Sequence, residues 1–194
     1  MNKETLLSEL DKLFIDDIAE KIVEKVIFTP KTKEELKIAV DEWCSNKDDA
    51  EKKYGNINTW NTSLITDMGD LFKKCDNFND DISNWDVSNV TDMRNMFDRA
   101  LSFNQNIGNW DVSNVKDMSS MFAGALSFNQ PLNDWDVSNV KYMDGMFCGS
   151  INFNQPLNNW DVSNVKEMGY MFACKSFNQD IGGWNVSNVI NMEN

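Results

Sequence analysis

The chain has 194 residues, 41% of them hydrophobic and 25% charged, with 18 Lys/Arg against 31 Asp/Glu and no His, for a net charge of −13. That length can bury a substantial core, while so acidic a surface repels phosphate backbones and anionic lipid headgroups, which argues against nucleic acid and membranes and for basic proteins or cations. Without His, a Cys-x-x-Cys pair or a phosphate-cradling Gly motif, the composition also speaks against a zinc site and against Ser/His/Asp or Cys/His nucleophiles.

The N-terminus, MNKETLLSELDKLF, alternates acids with apolar residues and lacks the apolar core of a signal peptide. No stretch reaches the roughly 18 apolar residues needed to cross a bilayer. The expectation is a protein kept in the compartment where it is made, cytoplasmic or virion-associated rather than secreted. Residues 4–28 place Leu6, Leu10, Leu13, Ile18, Ile22 and Val26 near one face of a first helix, with Leu7, Phe14 and Ile15 broadening it. That stripe packs on the rest of the cap, or it meets a partner or a second copy; its acidity rules out a membrane anchor. Thr29-Pro30 breaks the pattern. Thr32-Lys33-Glu34-Glu35 reads as a capping box opening a second helix through Trp43, and Asp48–Tyr54 as a third short helix ending at Gly55. Residues 1–59 thus form a helical N-terminal segment and cap, carrying 10 Lys against 14 Asp/Glu, and residues 60–194 carry 8 Lys/Arg against 17.

From residue 60 onward a repeat organises the chain. Tryptophans fall at 60, 85, 110, 135, 160 and 184, with a spacing of 25 four times and then 24. One unit reads F-N-Q-x-[IL]-x-x-W-D-V-S-N-V-x-x-M-x-x-M-F, clearest at residues 103–122, 128–147 and 153–172. The copy at 60–72 is degenerate, as an end repeat should be, and the last stops without its M-F. The stretch [IL]-x-x-W-x-V predicts a short strand with Trp110 and Val112 inward and Asp111 outward. Ser-Asn followed by an acid (Asn89/Asp92, Asn114/Asp117, Asn164/Glu167) predicts N-caps. Val115, Met118, Met121 and Phe122 then predict one face of a short helix or 3₁₀ turn. Stacked units would bury Trp on Trp, Met on Met and Phe on Phe, while the F-N-Q amides, such as Asn129 and Gln130, bond to neighbouring turns.

The unit resembles the 25-residue repeat of the BspA-like leucine-rich-repeat surface proteins over roughly residues 60–194. The resemblance implies a non-enzymatic repeat module used for adhesion or protein–protein contact, with no catalytic residues and no cofactor. The expected fold is therefore an α/β solenoid, a right-handed leucine-rich-repeat-like stack of short parallel strands and short helices with a helical N-terminal cap. The chain departs from the surface members in lacking a recognisable export signal and anchor.

The one constellation with candidate chemistry is the column Asp86, Asp111, Asp136 and Asp161, flanked by Asn61 and Asn185. Carboxylates about 5 Å apart repel by roughly 1 kcal/mol in water. Either each accepts bonds from its own Asx-type turn, or the row holds Ca²⁺ or a basic protein. A uniform ladder lacks the two unlike carboxyls of a glycosidase. Asn61, Asn89 and Asn185 start glycosylation-type triplets that read as by-products of the repeat. The four cysteines are expected to be thiols in a reducing cytosol, with Cys75 a small buried residue. Cys148 and Cys174 fall on adjacent turns, where a disulfide would need an oxidising compartment. The functional expectation is a protein-binding module with a basic partner. The alternative is a structural component that self-associates through the open C-terminal end or the first helix.

Overall fold

A computed structural model describes residues 27–193; the expected first helix lies outside the described residues. Helix α1 runs Lys33–Ser45, with the Thr32 Oγ1 accepting the Glu35 N–H at 3.3 Å. Glu35 closes the box one residue earlier than expected, accepting the backbone N–H of Lys31 at 2.7 Å. Asn46 ends α1 through its own N–H to the Glu42 carbonyl, and it caps α2 (Lys47–Tyr54) by accepting the Asp49 N–H at 3.4 Å. Gly55, at φ 75°, stops α2, and a 3₁₀ turn at Ile57–Thr59 delivers the chain to Trp60.

The expected α/β solenoid of parallel strands and short helices is corrected here, and with it the leucine-rich-repeat architecture. Among the described residues the repeats contain no helix and no strand, only isolated parallel bridges linking Asp67, Asp92, Asp117, Tyr142, Glu167 and Asn191 in succession. The physical reason lies in the backbone. Turns close inside the coil from Trp85 N–H to Ile82 O, Val90 to Val87, Met96 to Met93, Ala100 to Phe97 and Phe103 to Ala100. Three residues is the period of neither a strand nor an α-helix. Left-handed residues recur at Asp70, Asn95, Ser120, Gly145 and Tyr170, and again at Lys74, Arg99, Gly124 and Gly149. Each sits third in a turn, the position where a type II turn takes positive φ, and each interrupts the right-handed φ that a helix needs on successive residues.

The turns leave alternate N–H groups for the neighbouring coil. Met93, Asn95, Phe97 and Arg99 donate to the carbonyls of Asp117, Ser119, Met121 and Ala123 at 2.7–2.9 Å. Each coil therefore hangs on the next by main-chain bonds although no strand forms. Trp indoles add a second tie: the Nε1 of Trp85, Trp135 and Trp160 donate to the carbonyls of Ile57, Ile107 and Leu132.

The every-third-residue apolar pattern turns one side chain inward at each corner. Phe72, Phe97, Phe122, Phe147 and Phe172 form one column with ring centroids 5.3–5.9 Å apart. That is wider than the roughly 4.8 Å of paired strands. Phe78, Phe103, Phe128, Phe153 and Phe177 form a second column 5.8–6.2 Å apart. The columns interleave, with Phe97 and Phe103 3.9 Å apart and nearly parallel. Burying each ring is worth about 1.5–3 kcal/mol.

The first coil is covered by the helical segment. Trp43 of α1 meets Trp60 edge-on at 5.7 Å, and Phe28 and Tyr54 complete the cover. Lys33–Asp67 and Lys47–Asp80 ion pairs flank the contact at 2.7 and 2.6 Å. Cys44 of α1 is joined to Cys75 of the first coil in a disulfide, with Cα atoms 5.8 Å apart. This corrects the expectation of four thiols: the spacing of 31 residues carried no signal, and only packing α1 on the first coil makes them neighbours. Cys148 and Cys174 are free.

Candidate functional site

Asp86, Asp111, Asp136 and Asp161 are exposed, one per coil, each just after the buried Trp that fixes its place. In each, Oδ1 accepts the backbone N–H of the Ser two residues on, at 3.0, 3.1, 3.0 and 3.0 Å. The Ser88 and Ser113 hydroxyls add a second bond at 2.6 Å to Asp86 and Asp111. These are Asx turns, so one oxygen of each carboxylate holds its own backbone. The Ser163 hydroxyl and then its N–H hold the Asp161 carboxyl below the ordinary carboxylate range, since both stabilise the charged form. At the column's ends Asn61 and Asn185 make the same turn, accepting from Ser63 and Ser187 at 3.2 Å. The turn therefore needs a side-chain oxygen and not a charge. Among the described residues the Oδ2 atoms of the four aspartates have no hydrogen-bond or ion-pair partner. Nor does any group of three or more His, Cys, Asp or Glu there converge as a metal cage.

The paired Asn and acid positions do not cap helices, because no helix follows them. Instead Asn89, Asn114, Asn139, Asn164 and Asn188 donate their amides to the Ser63, Ser88, Ser113, Ser138 and Ser163 carbonyls of the preceding coil at 2.7–2.9 Å. The F-N-Q amides do bond across coils: the Asn79, Asn104, Asn129 and Asn154 Oδ1 accept the backbone N–H of Asn104, Asn129, Asn154 and Asn178. Gln105, Gln130 and Gln155 donate to the Asn79, Asn104 and Asn129 carbonyls. Both sets are spent on the stack.

A second acidic column escaped sequence reasoning because it was taken for helix caps. Asp67, Asp92 and Asp117 occupy the bridge positions, and the Arg94 guanidinium pairs with Asp92 at 2.7 Å. The Arg94 pKa is raised by Asp92 first, and further by Asp117 and Asp67. An acid seven residues after Trp60, Trp85, Trp110 and Trp160 was the available signal.

An apolar concavity lies elsewhere, among the last described residues, lined by Met168, Met171, Phe172, Ile181, Trp184 and Met192. No helix among the described residues is long and apolar enough to cross a membrane.

A family model described as "Mycoplasma protein of unknown function, DUF285" matches residues 42–150 and, in a second overlapping match, 106–194. No curated protein and no solved structure matches the chain.

Proposed function

The chain belongs to the family of Mycoplasma proteins of unknown function, DUF285, and from that premise we propose that it is a non-enzymatic protein–protein interaction module that presents its aspartate column to a basic protein. The observation that carries this reading is the geometry of Asp86, Asp111, Asp136 and Asp161: each is exposed, is held by one oxygen in an Asx turn and keeps its other oxygen unpaired among the described residues. A fixed row of like charges is complementary to a row of Lys or Arg, and such complementarity governs encounter and register more than raw affinity. The likeness of the F-N-Q…W-D-V-S-N-V unit to the repeat of BspA-like surface proteins supports the same reading.

Substituting Asn for the four aspartates tests it cleanly. Asn61 and Asn185 make this turn already, so the variant keeps its backbone and loses only charge. Binding to an immobilised Lys-rich peptide should fall at least tenfold, and what remains should lose its dependence on salt. Unchanged, salt-sensitive binding would place the acidic contact elsewhere.

A further inference from the structure

The disulfide that ties the helical segment to the first coil is built asymmetrically. Cys44 stands in the last turn of α1 and is exposed, whereas Cys75 belongs to the coil beneath and is only 9% exposed. Both line a surface concavity of about 400 Å³, with Asp41, Lys73, Lys74 and Asp76 around them. The bond is therefore open to solvent from the Cys44 side.

Thiol–disulfide exchange needs direct approach to the sulfur attacked, and it runs fastest when the departing sulfur carries charge well. Access selects Cys44 for attack. Charge selects Cys75 for departure, because a thiolate on Cys44 would sit at the negative end of α1. Around Cys75, Lys73 is committed to Asp70 and Asp98 at 3.1 and 3.3 Å, and Asp41 to Lys37. Lys74 and Asp76 are left to balance each other there.

The helical cap does not depend on this bond for its place. Leu36, Ala39, Val40 and Trp43 of α1 are buried in one core with the first coil. Asp80 accepts the Trp43 indole N–H at 2.8 Å and the Lys47 ammonium at 2.6 Å. The bond can open while the molecule stays folded.

We propose that Cys44 is a thiol-exchange site, at which a low-molecular-weight thiol of the glutathione or free-cysteine type forms a mixed disulfide with the folded protein. The small thiolate attacks Cys44 Sγ, and a new sulfur–sulfur bond forms there as the bond to Cys75 breaks. The electron pair leaves with Cys75 Sγ, which takes a proton from water. A second small thiolate, attacking the small-thiol sulfur of the adduct, releases Cys44 as a thiol. Two small thiols are then oxidised to their disulfide, and the protein is reduced by two electrons. Either product unties α1 from the first coil and leaves packing and ion pairs to hold it. The site uses none of the aspartate column and stands independently of the binding-module reading.

Reduced glutathione is the probe. The native 194-residue chain is incubated with it, quenched at intervals with N-ethylmaleimide and mapped by mass spectrometry. Early samples should carry glutathione on Cys44 and maleimide on Cys75. Cys148 and Cys174 are free and should carry maleimide alone, since a free thiol offers reduced glutathione no bond to exchange. Amide exchange in α1 should then quicken about tenfold or more, while the coils around Phe122 keep their protection. Repeating the reaction on Phe122→Ala separates attack on the folded protein from attack after unfolding. Direct exchange should hold its rate within about twofold, whereas a route through the unfolded chain would accelerate it by about tenfold or more. Low urea on the unchanged chain makes the same separation if that variant folds poorly. Glutathione on Cys75, exchange that needs denaturant, a rate that climbs with instability, or maleimide on all four cysteines without any reductant each overturns the proposal.

Discussion

At the residue scale the informative positions are those in left-handed backbone. Gly124, Gly145 and Gly149 take positive φ freely, whereas Asp70, Lys74, Asn95, Arg99, Ser120 and Tyr170 take it with a side chain. For an L-residue that conformation costs roughly 1–2 kcal/mol. It persists because each such residue's own N–H is committed to the next coil, Asn95 to the Ser119 carbonyl and Arg99 to the Ala123 carbonyl. Gly149 isolates the backbone term, since a Cβ there would meet nothing closer than 3.7 Å. Gly149→Ala should therefore lower the unfolding free energy by about 1–2 kcal/mol without disturbing the core. Urea denaturation with an unchanged slope would show this; a loss well beyond that range would mean the space is tighter than it looks. Residue chemistry also separates the amides from the aspartates. In F-N-Q the Asn accepts through Oδ1 and the Gln donates through Nε2 between coils, while the column aspartates keep one oxygen unpaired.

At the scale of the single coil, stability comes from neighbours. A 25-residue loop of turns has no ladder and no helix of its own, and its Phe, Met and Trp rings are buried only when coils lie above and below it. Contacts then run almost wholly between adjacent coils, as in other stacked repeats. Position along the stack should set the cost of a truncation. Phe122→Ala, in the middle, removes a fully buried ring touching Phe97, Phe128 and Phe147 and should cost about 3–5 kcal/mol. Phe172→Ala, in the half-buried last coil, should cost less than half as much. Equal losses in chemical denaturation would show that the cost does not follow burial along the stack.

For the whole molecule the decisive feature is the closed end over the first coil. Trp43 on Trp60, the Lys33–Asp67 and Lys47–Asp80 pairs and the Cys44–Cys75 disulfide fasten the helices over the first coil. The cross-link closes a loop of 31 residues, for which chain entropy alone is worth about 3–4 kcal/mol. Reduction, or a Cys44→Ser/Cys75→Ser double variant, should lower the unfolding free energy from denaturant titration by about that much. Unfolded under non-reducing conditions, the chain should expose two titratable thiols, rising to four once reduced. A denaturation curve indifferent to reductant would show that packing alone holds the cap. Such a bond persists in oxidising surroundings.

The repeat, its 25-residue period, the capping box at Thr32, the stop at Gly55 and the inward-turned residues are legible in the residues alone, because burial and local hydrogen-bonding chemistry are written in residue type and spacing. The bonding of the F-N-Q amides across coils is legible in the same way. The tertiary structure decided what the coils are made of. W-x-V is too short an alternation to specify a strand, and V-x-x-M-x-x-M-F fits a helix face as well as a chain of three-residue turns. Only the stacked neighbours choose between them, by taking up the N–H groups of residues such as Asn95 and Arg99 and holding those residues in left-handed backbone. The same holds for Cys44 and Cys75, Trp43 and Trp60, and Arg94 among Asp67, Asp92 and Asp117. Each is a meeting of residues distant in sequence, and no local pattern encodes it.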